Sequence, residues 1–307
     1  MARLVALTAA ALVAVPAGAD AEAIASRSLD ETTRDVREYW TPDRMASARP
    51  ASEQLARIPA PSHLLGGLSG GGGAAARSPA RPVTNPGTRP YRTHGKVFFH
   101  LPSGNYVCSG TVVRARNKRL VVTAGHCVFG DGVFADNWMF VPGKDGGREP
   151  FGRWSAAKLA APGLWQAGED IRYDVGMATI RKRGGRRLQK VVGARGIAFN
   201  KGRNVRFDAF GYPAEPPFGG TRLWHCKSPA QGSDNGVPSP KPTRIDCDMT
   251  GGSSGGGWVI GGRRVNSVVS YGYECTLPLV CGDSEAGKLF GPYFGPAIER
   301  LYRTQRR

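Results

Sequence analysis

All five histidines of this 307-residue chain, His63, His94, His100, His126 and His225, precede the run Gly252-Ser253-Ser254-Gly255-Gly256. That order constrains the fold more than any other feature. A serine set between glycines as G-x-S-x-G suits a nucleophile on a tight strand-to-helix turn, but that architecture needs its acid and its histidine after the serine. No histidine follows here, so that fold is excluded. Upstream stand Val122-Thr123-Ala124-Gly125-His126-Cys127 and Tyr173-Asp174-Val175-Gly176-Met177-Ala178. The order is histidine, aspartate, serine.

A serine hydroxyl is a poor nucleophile at neutral pH and needs a base within hydrogen-bond reach, itself oriented by an acceptor. An imidazole titrates near neutrality, so His126 suits the base and Asp174 the orienting group. Asp170 competes for that role but lies in a polar run, whereas Asp174 leads into apolar Val175, Met177 and Ile180. Glycines around Ser254 permit a tight turn. The backbone N–H groups of Gly252 and Ser254 are then the candidate oxyanion donors. His100 and His225, alone on strand-like stretches, are given no catalytic role.

The chain resembles a secreted bacterial serine endopeptidase of the chymotrypsin-like superfamily, closest to trypsin-like and V8 glutamyl-endopeptidase-like members. The resemblance rests on Cys108-Ser109-Gly110-Thr111, Thr123-Ala124-Gly125-His126-Cys127, Asp174-Val175-Gly176-Met177, Asp248 to Gly256 and Ser270-Tyr271-Gly272. It implies an all-β fold of two six-stranded antiparallel barrels with a short C-terminal helix. It also selects Ser254 over Ser253 as nucleophile and Cys108–Cys127 as a disulfide. Ser253 departs from the aspartate that most animal trypsin-like enzymes carry there. The resemblance therefore implies no activation by an ion pair with a new N-terminus.

The 43 glycines and 23 prolines punctuate short strands. Strand-like runs at Val97 to Leu101, Tyr106 to Val113 and Arg119 to Thr123 suit a first barrel over residues 93–187. Val205 to Phe210, Thr221 to Trp224, Arg244 to Cys247, Trp258 to Ile260, Val265 to Ser270 and Lys288 to Tyr293 suit a second over 188–307, with a helix from Pro296.

Residues 1–21 read as a signal peptide: one early arginine, an apolar run and Ala17-Gly18-Ala19. Secretion follows, with no membrane anchor after processing. Residues 22–92 read as a pro-segment and linker, with a helix from Ser28 to Trp40 closed by a Ser28–Glu31 capping box. Leu29 and Val36 share its inner face.

Export makes the six cysteines legible as disulfides. Cys226, Cys247, Cys275 and Cys281 allow three pairings. Cys226–Cys247 and Cys275–Cys281 close local loops, and the resemblance sets Cys247 just before the specificity segment. No two cysteines are separated by only two residues and no histidine pair is near them, so no metal site is expected. No cofactor is implied.

Asp248 lies six residues before Ser254. By the resemblance it sits at the base of the S1 pocket and favours basic P1 residues, with Ser270, Tyr271 and Gly272 as further substrate-binding residues. Acidic, small or apolar P1 residues stay open, and Glu274 either adds charge to the pocket or covers the surface. Protein or peptide substrates are the expected partners. Residues 90–307 hold 32 of the 42 basic residues and 16 of the 24 acidic ones, so they carry +16 of the net +18. That field favours weak binding to anionic surfaces. No zinc finger, basic amphipathic helix or aromatic–basic repeat points to nucleic-acid recognition. A catalytically silent protease-like scaffold and a polyanion- or cell-wall-binding protein are the competing functions.

Overall fold

The computed structural model describes residues 23–52, 79–272 and 287–307. The expected signal peptide, most of the glycine-rich linker, Glu274, Cys275 and Cys281 lie outside them.

The first described segment packs onto the fold. It runs through strand β1 (Ile24–Ser28), helix α1 (Thr33–Tyr39), helix α2 (Pro42–Ser47) and strand β2 (Arg49–Pro50). The capping box forms four residues later than the sequence suggests. The Thr32 hydroxyl accepts from the Asp35 N–H, and the Asp35 carboxylate takes the Thr32 N–H. Ser28 is instead paired with Lys158 in a five-residue antiparallel ladder. Strand β3 (Arg81–Pro82) resumes the described chain.

The first barrel uses β4 (His94–Leu101), β5 (Gly104–Val112), β6 (Leu120–Thr123), β9 (Asp136–Pro142), β10 (Trp154–Pro162) and β11 (Gly176–Ile180), with a small hairpin of β7 (Phe129–Gly130) and β8 (Val133–Phe134) between. Its order is β10-β11-β6-β5-β4-β9, and β9 pairs back onto β10 to close it. Side chains alternate as the strand period requires. Val97, Phe99 and Leu101 enter the barrel core with Val121 and Phe140. Phe98 faces out with Val107, Met139 and Val141, and that apolar outer face is covered by Val36 and Trp40. Trp40 is fully buried and its indole N–H donates to the Asn137 carbonyl at 2.6 Å.

Helix α3 (Gly163–Gly168) follows β10, and helix α4 (Leu188–Val192) leads out of the barrel. The second unit takes β12 (Gly196–Ile197), β13 (Arg206–Gly211), β14 (Trp224–Ser233), β15 (Thr243–Asp246), β16 (Gly257–Ile260), β17 (Arg264–Val268) and β18 (Lys288–Gly291). Their order is β12-β17-β16-β13-β14-β15-β18, with β3 added to β14. Among the described residues no ladder joins β12 to β18, and these strands form a half-barrel. Thr221 to Leu223 stay outside the strand that starts at Trp224. Helix α5 (Pro296–Gln305) begins with Pro296 in its first turn, where a missing N–H costs nothing. No helix among the described residues is long and apolar enough to cross a membrane.

The two units share a core. Val113, Leu120, Val122, Val175 and Met177 from the first pack with Val259, Val265, Phe294, Ile298 and Leu301 from the second. A polar thread crosses the same seam. Arg195 donates to His94 Nε2 at 3.3 Å, which leaves the His94 proton on Nδ1 to donate to Thr111 Oγ1 at 2.9 Å. Thr111 Oγ1 in turn accepts from the Gly257 N–H on β16. The seam therefore fixes β4, β5 and β16 together, and the glycine-flanked serine immediately precedes β16.

Candidate active site

His126 sits in a single 3-10 turn, Gly125–Cys127, that follows β6, and Asp174 caps a second such turn just before β11. The β6–β11 ladder pairs Thr123 with Gly176, which brings the two turns side by side. Asp174 is fully buried, and its Oδ2 receives His126 Nδ1–H at 2.9 Å while its Oδ1 receives the His126 backbone N–H at 2.9 Å. With Nδ1–H committed to a carboxylate, Nε2 is the accepting nitrogen. Nε2 is buried and has no hydrogen-bond partner among the described residues. The competing Asp170 is held by the Arg172 guanidinium instead.

Gly125 is required by space. A Cβ there would lie 2.8 Å from the Trp165 ring and 2.9 Å from Asp174 Oδ1. Trp165 is buried, and its ring centroid is 6.4 Å from that of His126. His126 and Asp174 are buried beside it, and that environment strengthens the hydrogen bonds to the carboxylate.

The Ser254 loop is aimed by bonds on its reverse side. The Gly251 carbonyl accepts from the Ala214 N–H at 2.6 Å, and the Ser253 carbonyl accepts from the Gly256 N–H at 2.9 Å. A trans peptide points its N–H opposite to its carbonyl. The N–H groups of Gly252 and Ser254 are thus turned the other way, and neither has an acceptor among the described residues. Gly252 has φ +90°, which a side chain rarely tolerates. Ser109 clamps the loop from β5: its N–H donates to the Ser254 carbonyl at 2.7 Å and its hydroxyl to the Gly252 carbonyl at 2.9 Å. Ser109 follows Cys108, whose disulfide to Cys127 adjoins His126. The buried Ser253 hydroxyl donates to the Thr250 carbonyl at 2.6 Å, so its polarity is satisfied by a neutral partner.

The remaining expected residues divide. The Ser270 hydroxyl donates to Asp174 Oδ2, so its side chain serves the aspartate. Tyr271 stacks on Phe290 and donates to Asp234, while Gly272 is exposed. Asp248 is half-buried and its Oδ1 accepts the Ala80 N–H at 2.7 Å. Cys226–Cys247 is formed, and Cys275 and Cys281 lie outside the described residues. Sequence reasoning assigned nothing to Ser109, Trp165, Glu215 or Ala80. The Glu215 carboxylate receives the Gly251 N–H at 3.0 Å, and the Thr250 hydroxyl accepts the Glu215 N–H and donates to the Glu215 carbonyl. Ser109 was visible within Cys108-Ser109-Gly110-Thr111; the other three act across long sequence separations that leave no local signal.

Among the described residues one group has metal-ligand types in reach of one another, Cys108, His126 and Cys127. Both sulfurs are spent in a disulfide and are not thiolates, so the donor set does not suit a metal.

No protein-family model matches the chain. Among solved structures, the protease Anisep of Arthrobacter nicotinovorans is 38% identical, with a TM-score of 0.67 over 74% of this chain and 99% of that one. The thermostable serine protease AL20 of an extremophilic microorganism is 38% identical, with a TM-score of 0.64 over 70% and 97%. A Glu endopeptidase at 17% identity and TM-score 0.57 shares the fold, over 74% of this chain and 97% of that one. Two curated relatives match shorter stretches: an extracellular metalloprotease of Bacillus subtilis, 27% identical over 47% of this chain and 45% of its own length, and a glutamyl endopeptidase of Bacillus licheniformis, 31% identical over 31% and 28%. The match thus spans less than half the length of either curated relative.

Proposed function

This chain belongs to the bacterial serine proteases of chymotrypsin-like fold, and we propose that it is a secreted endopeptidase whose triad is Ser254, His126 and Asp174. One observation carries the reading. A buried His126–Asp174 pair leaves Nε2 unpartnered, beside a serine loop with two N–H groups turned outward.

In this mechanism Ser254 Oγ attacks the scissile carbonyl carbon and His126 Nε2 takes the hydroxyl proton. The carbonyl oxygen becomes an oxyanion held by the N–H groups of Gly252 and Ser254, each worth a few kcal/mol on general grounds. His126 returns its proton to the leaving amine as the C–N bond breaks, leaving an acyl-enzyme. Water, deprotonated by the same nitrogen, then releases the acid and restores Ser254. Asp174 keeps the proton on Nδ1 and stabilises the imidazolium. Ser270 holds the orientation of Asp174.

Basic residues are the proposed P1 preference. One Asp248 oxygen is engaged by Ala80, and no other hydrogen bond to the carboxylate is seen among the described residues, so one oxygen is left for a cation. Two disulfides support export.

Comparing the wild type with Ser254→Ala on casein and fluorogenic peptides, with and without a serine-directed phosphonate, tests the reading. Activity that survives in Ser254→Ala would end it.

A second reading has its own observation. Arg114, Arg116, Arg263, Arg264, Arg303 and Arg307 line one cleft of about 860 Å³ near α5, and its acid, Glu299, is already paired with Arg303. That surface suits weak, salt-sensitive binding to anionic polymers. Retention on a polysulfate matrix should fall in Arg263→Glu/Arg264→Glu; equal retention would count against it.

A further inference from the structure

We propose that Arg49–Ser52 is a built-in ligand of the active-site cleft, occupying its leaving-group side with the chain reversed and so holding the intact protein latent; this rests on the endopeptidase reading above. The segment's path carries the proposal. Strand β2 lies parallel to β5, with Arg49 opposite Tyr106 and Pro50 opposite Val107. The Arg49 guanidinium donates to the Ser103 carbonyl and the Tyr106 hydroxyl and lies over the Tyr106 ring. Ala51 is 0% exposed and packs in the same cluster as Cys108 and Cys127, the disulfide beside His126. Ser52 Oγ stands where a side chain on Gly251 would have to go, one residue before the oxyanion donor Gly252.

Direction follows from the chemistry. His126 Nε2 must hand its proton to the leaving amine, so the C-terminal half of a substrate departs past His126 and the Cys108–Cys127 disulfide. A substrate therefore runs away from Ser254 along this side. Arg49–Ser52 runs toward the Ser254 loop: the parallel register advances from Tyr106 to Val107, one residue before Cys108, and Ser52 reaches Gly251. In that orientation a bond of the segment would place its leaving nitrogen away from His126. The segment lies along the leaving-group side without being positioned as a substrate.

The segment is also well anchored. β1 is laddered to β10, Trp40 is fully buried, and Arg153 donates to the Trp40 carbonyl at 2.9 Å. This tethering holds a weak four-residue contact at high effective concentration.

The test uses full-length chain confirmed intact by mass. Wild type, Ala51→Trp and Arg49→Ala are compared in two reactions: labelling by a small serine-directed phosphonate, and hydrolysis of a peptide long enough to extend several residues past the cut on its leaving side. Ala51→Trp cannot fit a seat with no exposed surface, and Arg49→Ala removes the hydrogen bonds to Ser103 and Tyr106 without crowding. Initial hydrolysis should rise about tenfold or more in Ala51→Trp and several-fold in Arg49→Ala, while labelling changes much less. If all three are labelled and cut the long peptide equally fast, the segment is not an inhibitor. Should Ala51→Trp fail to fold, Arg49→Ala decides alone. Absence of labelling in every form would overturn the endopeptidase reading itself.

Discussion

The backbone N–H of Ala80 donates to a carboxylate oxygen of Asp248 at 2.7 Å. The acid at the proposed base of the S1 pocket is thus tied to the strand that enters the second unit, and Val83 continues that attachment by donating to the Leu223 carbonyl. Asp248→Asn keeps an acceptor for Ala80 and removes the charge. kcat/KM for Arg or Lys at P1 should fall about 10- to 100-fold, the ~1.5–3 kcal/mol of a hydrogen bond to a charged group. Matched substrates with an apolar P1 should change little. Paired assays on substrates differing only at P1 check this; an equal loss on both would assign Asp248 to anchoring alone.

Ser253 should not tolerate the acid found in animal relatives of this fold. Its hydroxyl donates to the Thr250 carbonyl in a buried place. A carboxylate there has no proton to give and faces a carbonyl oxygen. Ser253→Asp should lose about 3 kcal/mol or more of stability, whereas Ser253→Ala should lose about 1 kcal/mol. Urea unfolding of the two variants measures the difference, and an unchanged midpoint for the aspartate would contradict the geometry.

Gly125→Ala should damage activity more than stability. The added methyl would press on the Trp165 ring and on Asp174 Oδ1. Relief by a small shift of either group misplaces His126, and about 100-fold in kcat is the expected loss. Overpacking should cost about 1–3 kcal/mol. Steady-state kinetics and thermal unfolding on the same preparation separate the two effects. Unimpaired kcat would show that the turn has slack.

Two buried bases give stability a signed dependence on pH. Burial, with Arg195 and His225 nearby, holds His94 well below the usual 6.5. Its neutral form is the folded form, so the stability it confers is present above pH 6.5 and is lost as pH falls below that value. Burial first, and then Lys144, pushes Lys96 from 10.5 down to about 8. Between those values the unfolded chain binds a proton that the folded chain does not, so stability rises with pH across that window, by about 3 kcal/mol. Urea unfolding of wild type and Lys96→Met at pH 7 and pH 10.5 reads the term directly. The wild type should gain on the variant at the higher pH; a constant gap would remove Lys96 from the account.

Much of the candidate site is legible in the sequence because its parts are local. His126, Asp174 and Ser254 each sit in a short segment whose glycines, cysteine or following apolar strand identify the turn around them. Cys226 and Cys247 pair as their loop suggests. What the sequence hides is set by distant partners. The helix start moves from Ser28 to Thr32 because Ser28 is claimed by β10, 130 residues away in the chain. Leu29 and Val36, seven apart, are both buried, yet they serve different clusters because the chain turns between them. Glu215 and Ala80 look like ordinary loop residues until their contacts with Gly251 and Asp248 are seen.

The Gly251 carbonyl is held by the N–H of Ala214, on the side of the serine loop opposite the Gly252 N–H. Glycine lies on both sides of that peptide, so little but this one bond opposes its rotation. A half-turn would replace an outward N–H with an outward carbonyl oxygen and reverse the polarity of the place proposed for the oxyanion. Ala214 is thus a latch on the sign of the local field. The same residue packs against the cluster that contains Trp40, so the covering N-terminal segment reaches the latch as well as the cleft.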